Sequence, residues 1–147
     1  MPRIRLKPLA RYGFAFDIRV RVTDLNYGGH LGNDRLLSLL HESRAAFLSS
    51  HGMTEQDCAG VSLTMGDAVI QYQAEAFAGE ILRIEVAAAE PAGCGFRLFY
   101  RVTRPSDGAV VALAETGMAA FDYTERRVRP LPDGVAVLFQ EGSPPVE

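Results

Sequence analysis

The chain has 147 residues, 48 % of them hydrophobic and 22 % charged, with a net charge of −3. That length suits one domain with a core of its own, and the composition excludes a disordered chain. Basic and acidic residues are mixed along the chain without a basic face, which argues against a nucleic-acid partner, and no apolar run is long enough to span a membrane. No segment reads as an export signal, so a cytoplasmic location is expected. Cys58 and Cys94 lack motif spacing and read as free thiols; with three separated histidines they do not compose a zinc site, and no metal or cofactor is expected.

The first residues carry Arg3, Arg5 and Lys7 between Pro2 and Pro8 and read as a loose terminus. Over residues 14–23, Phe14, Phe16, Ile18, Val20 and Val22 alternate with polar or small residues, the period of a strand with one buried face. Residues 24–33, Asp-Leu-Asn-Tyr-Gly-Gly-His-Leu-Gly-Asn, hold three glycines and two asparagines and read as a loop. From residue 33 to 50 the period changes: Leu36, Leu37, Leu39, Leu40, Ala46, Phe47 and Leu48 predict one long amphipathic helix, with Asn33 as N-cap and Gly52 as stop. A short helical turn is expected over residues 54–58.

Strands follow over residues 62–74, 80–90, 96–104 and 109–123, with Gly66 as a bulge and Gly117 as a bend or close backbone contact. Turns fall at residues 91–95 and at Pro105-Ser106-Asp107-Gly108. The proline-bearing tail holds a turn of helix near residues 135–139 and then frays. One apolar helix stripe and one sheet face must bury each other, so the fold class is α+β, a curved antiparallel sheet wrapped around the helix. Residues 1–147 read as a single domain with an ordered core over about 12–130.

The run Asp24-Leu25-Asn26-Tyr27-Gly28-Gly29-His30-Leu31-Gly32-Asn33, followed by Leu36-Leu37-Ser38-Leu39-Leu40-His41-Glu42-Ser43-Arg44, resembles the hotdog-fold thioesterases, closest to their 4-hydroxybenzoyl-CoA thioesterase-like branch. Val69–Glu75 and Gly79-Glu80 match the same style, and the resemblance spans residues 14–123. It implies an acyl-CoA thioesterase whose substrate carries coenzyme A or acyl-carrier protein. It also implies a homodimer or homotetramer with sites at the subunit interface. One position departs: where many members carry a loop carboxylate, this chain has Asn26. An amide is neither nucleophile nor base, but it can hold a water or donate to a carbonyl. By analogy with hotdog enzymes that keep their acid on the helix, Glu42 inherits the acid–base role.

Thioester hydrolysis needs a polarised carbonyl, an activated water and a sheltered site. Free N–H groups at the helix start supply positive potential, and Gly28, Gly29, Gly32 and Asn33 let a substrate approach it. Glu42, set between Leu40 and Ala45, would become a better base if buried. Each candidate has a structural alternative. Asp24 caps a turn or pairs with an arginine, Asn26 is a turn residue, and His30 positions the loop rather than shuttling a proton. Glu42 pairs with Arg35 or Arg44 on a solvated face, and Asp67 marks a bulge rather than reaching a site in a second subunit. Glu75 reads as a surface carboxylate, and Arg83, Arg97 and Arg101 are candidates to rim the site against coenzyme A phosphates. Two other functions fit the same fold: a dehydratase or hydratase of acyl thioesters, whose own His-and-acid motif is not found intact, and a non-catalytic acyl-thioester-binding protein.

Overall fold

The computed structural model describes residues 2–140. Its sheet is antiparallel throughout, in the order β1-β3-β4-β5-β2: β1 is Phe14–Arg19, β2 Ser62–Tyr72, β3 Ile81–Ala92, β4 Gly95–Arg104 and β5 Ala109–Asp122. A two-residue β6, Arg127–Val128, folds back on β5, and was not foreseen. The long helix α1 spans Asn33–Ser50, the predicted bounds. Leu36, Leu39, Leu40, Phe47 and Leu48 form its buried stripe at three-to-four spacing. They pack on the inner face of the sheet against Ile84 and Val86 of β3, Leu98 and Tyr100 of β4, and Ala112 and Ala114 of β5. The helix stops where Gly52 takes φ +72 and the N–H groups of His51 and Met53 both donate to the Leu48 carbonyl. This is the curved sheet around a central helix that the resemblance implied. Among the described residues no helix is long and apolar enough to cross a membrane.

A polar thread crosses this core. Arg44, on the buried stripe, pairs through Nε with Glu55 and donates from a terminal nitrogen to the Tyr100 hydroxyl at 3.4 Å; that hydroxyl lies 2.9 Å from Thr116 Oγ1. Burial pushes the Tyr100 phenol up, against the lowering effects of Arg44 and Thr116. Arg44 therefore pairs with Glu55, not with Glu42.

Several elements differ from expectation for local reasons. β1 ends at Arg19 because the Asp24 carboxylate draws in the Arg21 backbone N–H at 2.8 Å, closing a 3-10 turn over Val22–Asp24 and leaving Val22 exposed. Residues 54–58 form no helix: Thr54 Oγ1 accepts from Asp57 N–H at 2.9 Å and closes a side-chain turn instead. β3 runs two residues past the expected end, through Glu90 at φ +56, and turns at Gly93. The register of β2 against β5 shifts between Met65 and Asp67, so Gly66 is the bulge. The helical turn near the end is a 3-10 segment, Asp133–Gln140, anchored by Val135 and Leu138; the frayed tail was expected partly over residues 141–147, which lie outside the described residues.

The start of the chain is not loose. It crosses the outer face of the sheet, where Leu9 and Tyr12 are buried against Ala87 of β3 and Phe99 of β4. The Tyr12 hydroxyl accepts from Leu9 N–H at 3.1 Å and its ring lies under the Arg101 guanidinium. Farther along, Leu6 N–H donates to Gln71 Oε1 at 2.8 Å, and Arg3 donates to the Tyr72 carbonyl at 3.3 Å, at the end of β2.

Candidate active site

Residues 25–32 are shaped by their own polar groups. Asn26 Oδ1 accepts from the N–H of Gly28 at 2.9 Å and of His30 at 3.4 Å, while Asn26 N–H donates to the His30 carbonyl at 2.8 Å. Gly29 completes the turn at φ +81, a conformation that favours glycine. Leu31 N–H then donates to the Ala76 carbonyl, and Gly32 N–H to the Asp24 carbonyl, which ties this loop to the segment leaving β2. Asp24 lies beneath, 1 % exposed, its carboxylate bound by the Arg21 backbone and guanidinium. Burial alone would push this carboxyl up, but the Arg21 contacts and the nearby Arg35 charge together hold it below the usual carboxylate range.

Gly32 is the residue before the helix, not Asn33 as the spacing predicted, and it offers no capping side chain. The first helical N–H groups, of Asn33, Asp34 and Arg35, have no carbonyl a turn behind them, so the helix begins with open donors and its positive dipole end uncovered. A Cβ at Gly32 would stand 2.7 Å from Asp34 Oδ1, which shows how closely this backbone is approached.

A cleft of about 410 Å³ opens on that helix start. One wall is Asn26, His30, Leu31, Gly32, Asn33 and Leu36; the other is Tyr72, Gln73, Ala74, Glu75 and Ala76, with Val111 behind. The walls are joined by the Tyr72 hydroxyl, which donates to the Asn33 carbonyl at 2.6 Å. Burial, then the Asp34 charge, raises the Tyr72 phenol above its ordinary value. His30 Nδ1 sits 3.2 Å from the Leu31 carbonyl, a contact that as a hydrogen bond needs the proton on Nδ1.

Of the residues singled out from the sequence, Asn26, His30, Gly32 and Asn33 line this cleft, and Asp24 supports it from below. Gly28 and Gly29 form the exposed loop tip. Glu42 is exposed, so the burial expected of it is absent; it lines a separate groove with Arg21, Ser38, Leu39, His41 and Ala45. Asp67 lies on the outer face, opposite Gly117, in a two-bond pair with Arg97 at 2.9 and 3.2 Å. The Arg97 hydrogen bonds hold its carboxyl below the usual range. Arg97 also binds Glu115, Arg83 binds Asp17 and Arg101 binds Glu85, so these three arginines are paired away from the cleft rather than rimming it.

The residues underrated from the sequence are Tyr72 and Glu75. Among the lining residues Glu75 supplies the carboxylate, and no described residue forms an ion pair with it. Its position is set by the backbone: Arg104 donates to the Glu75 carbonyl at 2.7 Å while its guanidinium pairs with Asp107. The strand pattern alone could not reveal this, because it says nothing of what the exit of β2 faces.

Comparison with known proteins places the chain and its fold. The family model of the thioesterase-like superfamily matches residues 20–139. A 1,4-dihydroxy-2-naphthoyl-CoA hydrolase from Synechocystis is 24 % identical over 122 residues, covering 81 % of this chain and 88 % of that protein. A crystal structure of a 1,4-dihydroxy-2-naphthoyl-CoA thioesterase from Synechocystis superposes with TM-score 0.75 at 22 % identity, over 82 % of this chain and 90 % of the other. A Staphylococcus aureus protein in complex with CoA superposes with TM-score 0.78 at 16 % identity, over 99 % and 92 %. The fold is the hotdog fold, shared with these structures.

Proposed function

Because the chain belongs to the thioesterase-like superfamily, we propose that it hydrolyses an acyl thioester of coenzyme A to the free acid and the thiol. The observation that carries the reading is one cleft lined both by an uncapped helix start and by an exposed carboxylate residue, Glu75. The thioester carbonyl oxygen lies toward the open N–H groups of the first helical turn, with the Asn26 amide as a further donor. Each such donor stabilises a developing oxyanion by roughly 3–4 kcal/mol. Glu75 takes a proton from water, the new C–O bond forms, and the tetrahedral intermediate collapses with loss of the C–S bond. The sulfur leaves as thiolate and takes up the proton. A positioned base of this kind contributes on the order of 10²–10⁴-fold.

Assembly belongs to the same proposal. β2 is an edge strand of 11 residues; beyond the Leu63 N–H bond to the Glu55 carbonyl, no described strand pairs with its outer edge, and its last residue lines the cleft. A second copy pairing there would cover a long exposed edge and shelter the cleft from bulk water. That is a homodimer with the site beside the interface.

Asn26, standing where many relatives of this fold carry an acid, favours one rival: a protein that binds the thioester without cleaving it. A thiol-release assay on a panel of acyl-CoAs decides, with Glu75→Gln, Glu42→Ala and Asn26→Ala run beside the parent. Turnover lost in Glu75→Gln and kept in Glu42→Ala supports the reading. The reverse pattern returns the base to the helix, at Glu42. Saturable binding without thiol release in the parent would establish the binding protein.

A further inference from the structure

We infer that the N-terminal arm, through Arg3, Arg5 and Lys7, is the binding site for the phosphate groups of the coenzyme A substrate. The inference rests on the thioesterase reading and adds to it the part of the site that grips the nucleotide end.

Four observations converge. The arm starts from β1, at one edge of the sheet, crosses the outer face over β3 and β4 on Leu9 and Tyr12, and reaches the opposite edge at β2. It is fastened there by Leu6 N–H on Gln71 and by Arg3 on the Tyr72 carbonyl, so Arg3 touches a residue that lines the cleft. Arg3, Arg5 and Lys7 are all exposed, as are Pro2 and Ile4, while Leu6 and Pro8 are half-buried. Their two-residue spacing puts the three cations on one side wherever the chain is extended, roughly 7 Å apart. Finally, none of the three is in an ion pair with a described residue, whereas Arg83, Arg97, Arg101 and Arg104 of the sheet each hold a carboxylate.

Three cations without ion-pair partners among the described residues, in a chain of net charge −3, make a local reversal of sign on an arm whose Arg3 reaches a cleft-lining residue. An acyl-CoA is long, with the thioester at one end and a phosphomonoester and pyrophosphate at the other. The thioester carbon needs the helix start; the phosphates then emerge at the rim, where guanidinium groups bind such oxygens in pairs. Exposed contacts of this sort are weak singly and screened by salt.

The test compares two substrates with one acyl group: the acyl-CoA, and the acyl-N-acetylcysteamine thioester, which lacks phosphates. In the full chain carrying Arg3→Ala, Arg5→Ala and Lys7→Ala together, the ratio of kcat/KM for the first over the second should fall about tenfold, through KM of the acyl-CoA. High salt should produce a similar fall in the parent and little in the variant. An unchanged ratio overturns the inference, as does an equal loss on both substrates, which would make the arm a shaper of the cleft. If the parent cleaves neither thioester, the thioesterase reading has failed and the arm is judged by calorimetry with CoA alone: weaker binding in the triple variant upholds it, and equal binding ends it.

Discussion

The two halves of α1 share one stripe and one sheet, yet treat polar groups in opposite ways. In the C-terminal half, Arg44 is almost enclosed, and its guanidinium is matched by Glu55 and the Tyr100 hydroxyl, with Thr116 behind. At the N-terminal end, Gly32 provides no cap, the first N–H groups stay open, and a cleft lies where a covering side chain could have been. The closed half fixes how the helix lies on the sheet. The open end is then held in place without contacts of its own that would compete with a ligand. Satisfaction at one end permits vacancy at the other, since an open donor set is useful only on an element that does not move.

The comparison breaks most sharply in the closed half. Phe47→Ala removes a ring that meets Phe14 edge-on at 5.5 Å in the fully buried stripe, and should destabilise the fold by about 3–5 kcal/mol in urea unfolding. Arg44→Ala takes the arginine from the partly buried Glu55, which keeps the His41 ring nitrogen at 3.4 Å, and leaves the Tyr100 hydroxyl without it; it should cost about 3 kcal/mol in the same measurement. If either change lowers turnover without lowering stability, the division between a structural half and a chemical end is wrong.

At the open end the signs reverse. Glu75→Gln should reduce kcat on the order of 10²–10⁴-fold while thermal unfolding stays within about 0.5 kcal/mol of the parent. Gly32→Ala is tolerated by its φ of −67, and the oxygen it meets belongs to the flexible Asp34 side chain. The fold should survive, while the displaced approach to the helix start lowers kcat/KM by roughly 10- to 100-fold. A variant with full activity would show that substrate does not pass over Gly32.

The smallest effect concerns the turn beneath the site. The Asp24 carboxyl is held below the usual range when folded, so its contribution is complete above the unfolded carboxylate range and is lost as pH falls through the folded value. Asp24→Asn should cost about 1 kcal/mol near neutral pH through the weakened turn. It should also flatten the acid limb of the stability curve, measured by thermal unfolding between neutral and strongly acid pH. An unaltered acid limb would assign that limb to other depressed carboxyls, such as Asp67, Asp107 and Asp122.

Much of this molecule is legible as local pattern. The three-to-four spacing from Leu36 to Leu48 and Gly52 beyond it define α1, alternation defines the strands, and the Asp24–Asn33 run points to the hotdog fold. Even the exposure of Glu42 follows from the period: with Leu36, Leu39, Leu40, Phe47 and Leu48 inward, position 42 lies off the stripe, and the apolar residues near it in sequence do not bury it. The tertiary structure alone decides which segments meet. That Glu75 and Asn26 line one cleft depends on β2 lying at the sheet edge, with its exit bonded to Leu31. That Arg44 is buried depends on Glu55 returning beneath the helix, and that Arg3 reaches Tyr72 depends on the arm crossing the outer face. Periodicity records which way each side chain points relative to its own backbone; the partner it finds there is set by register and strand order, which no short window of sequence contains.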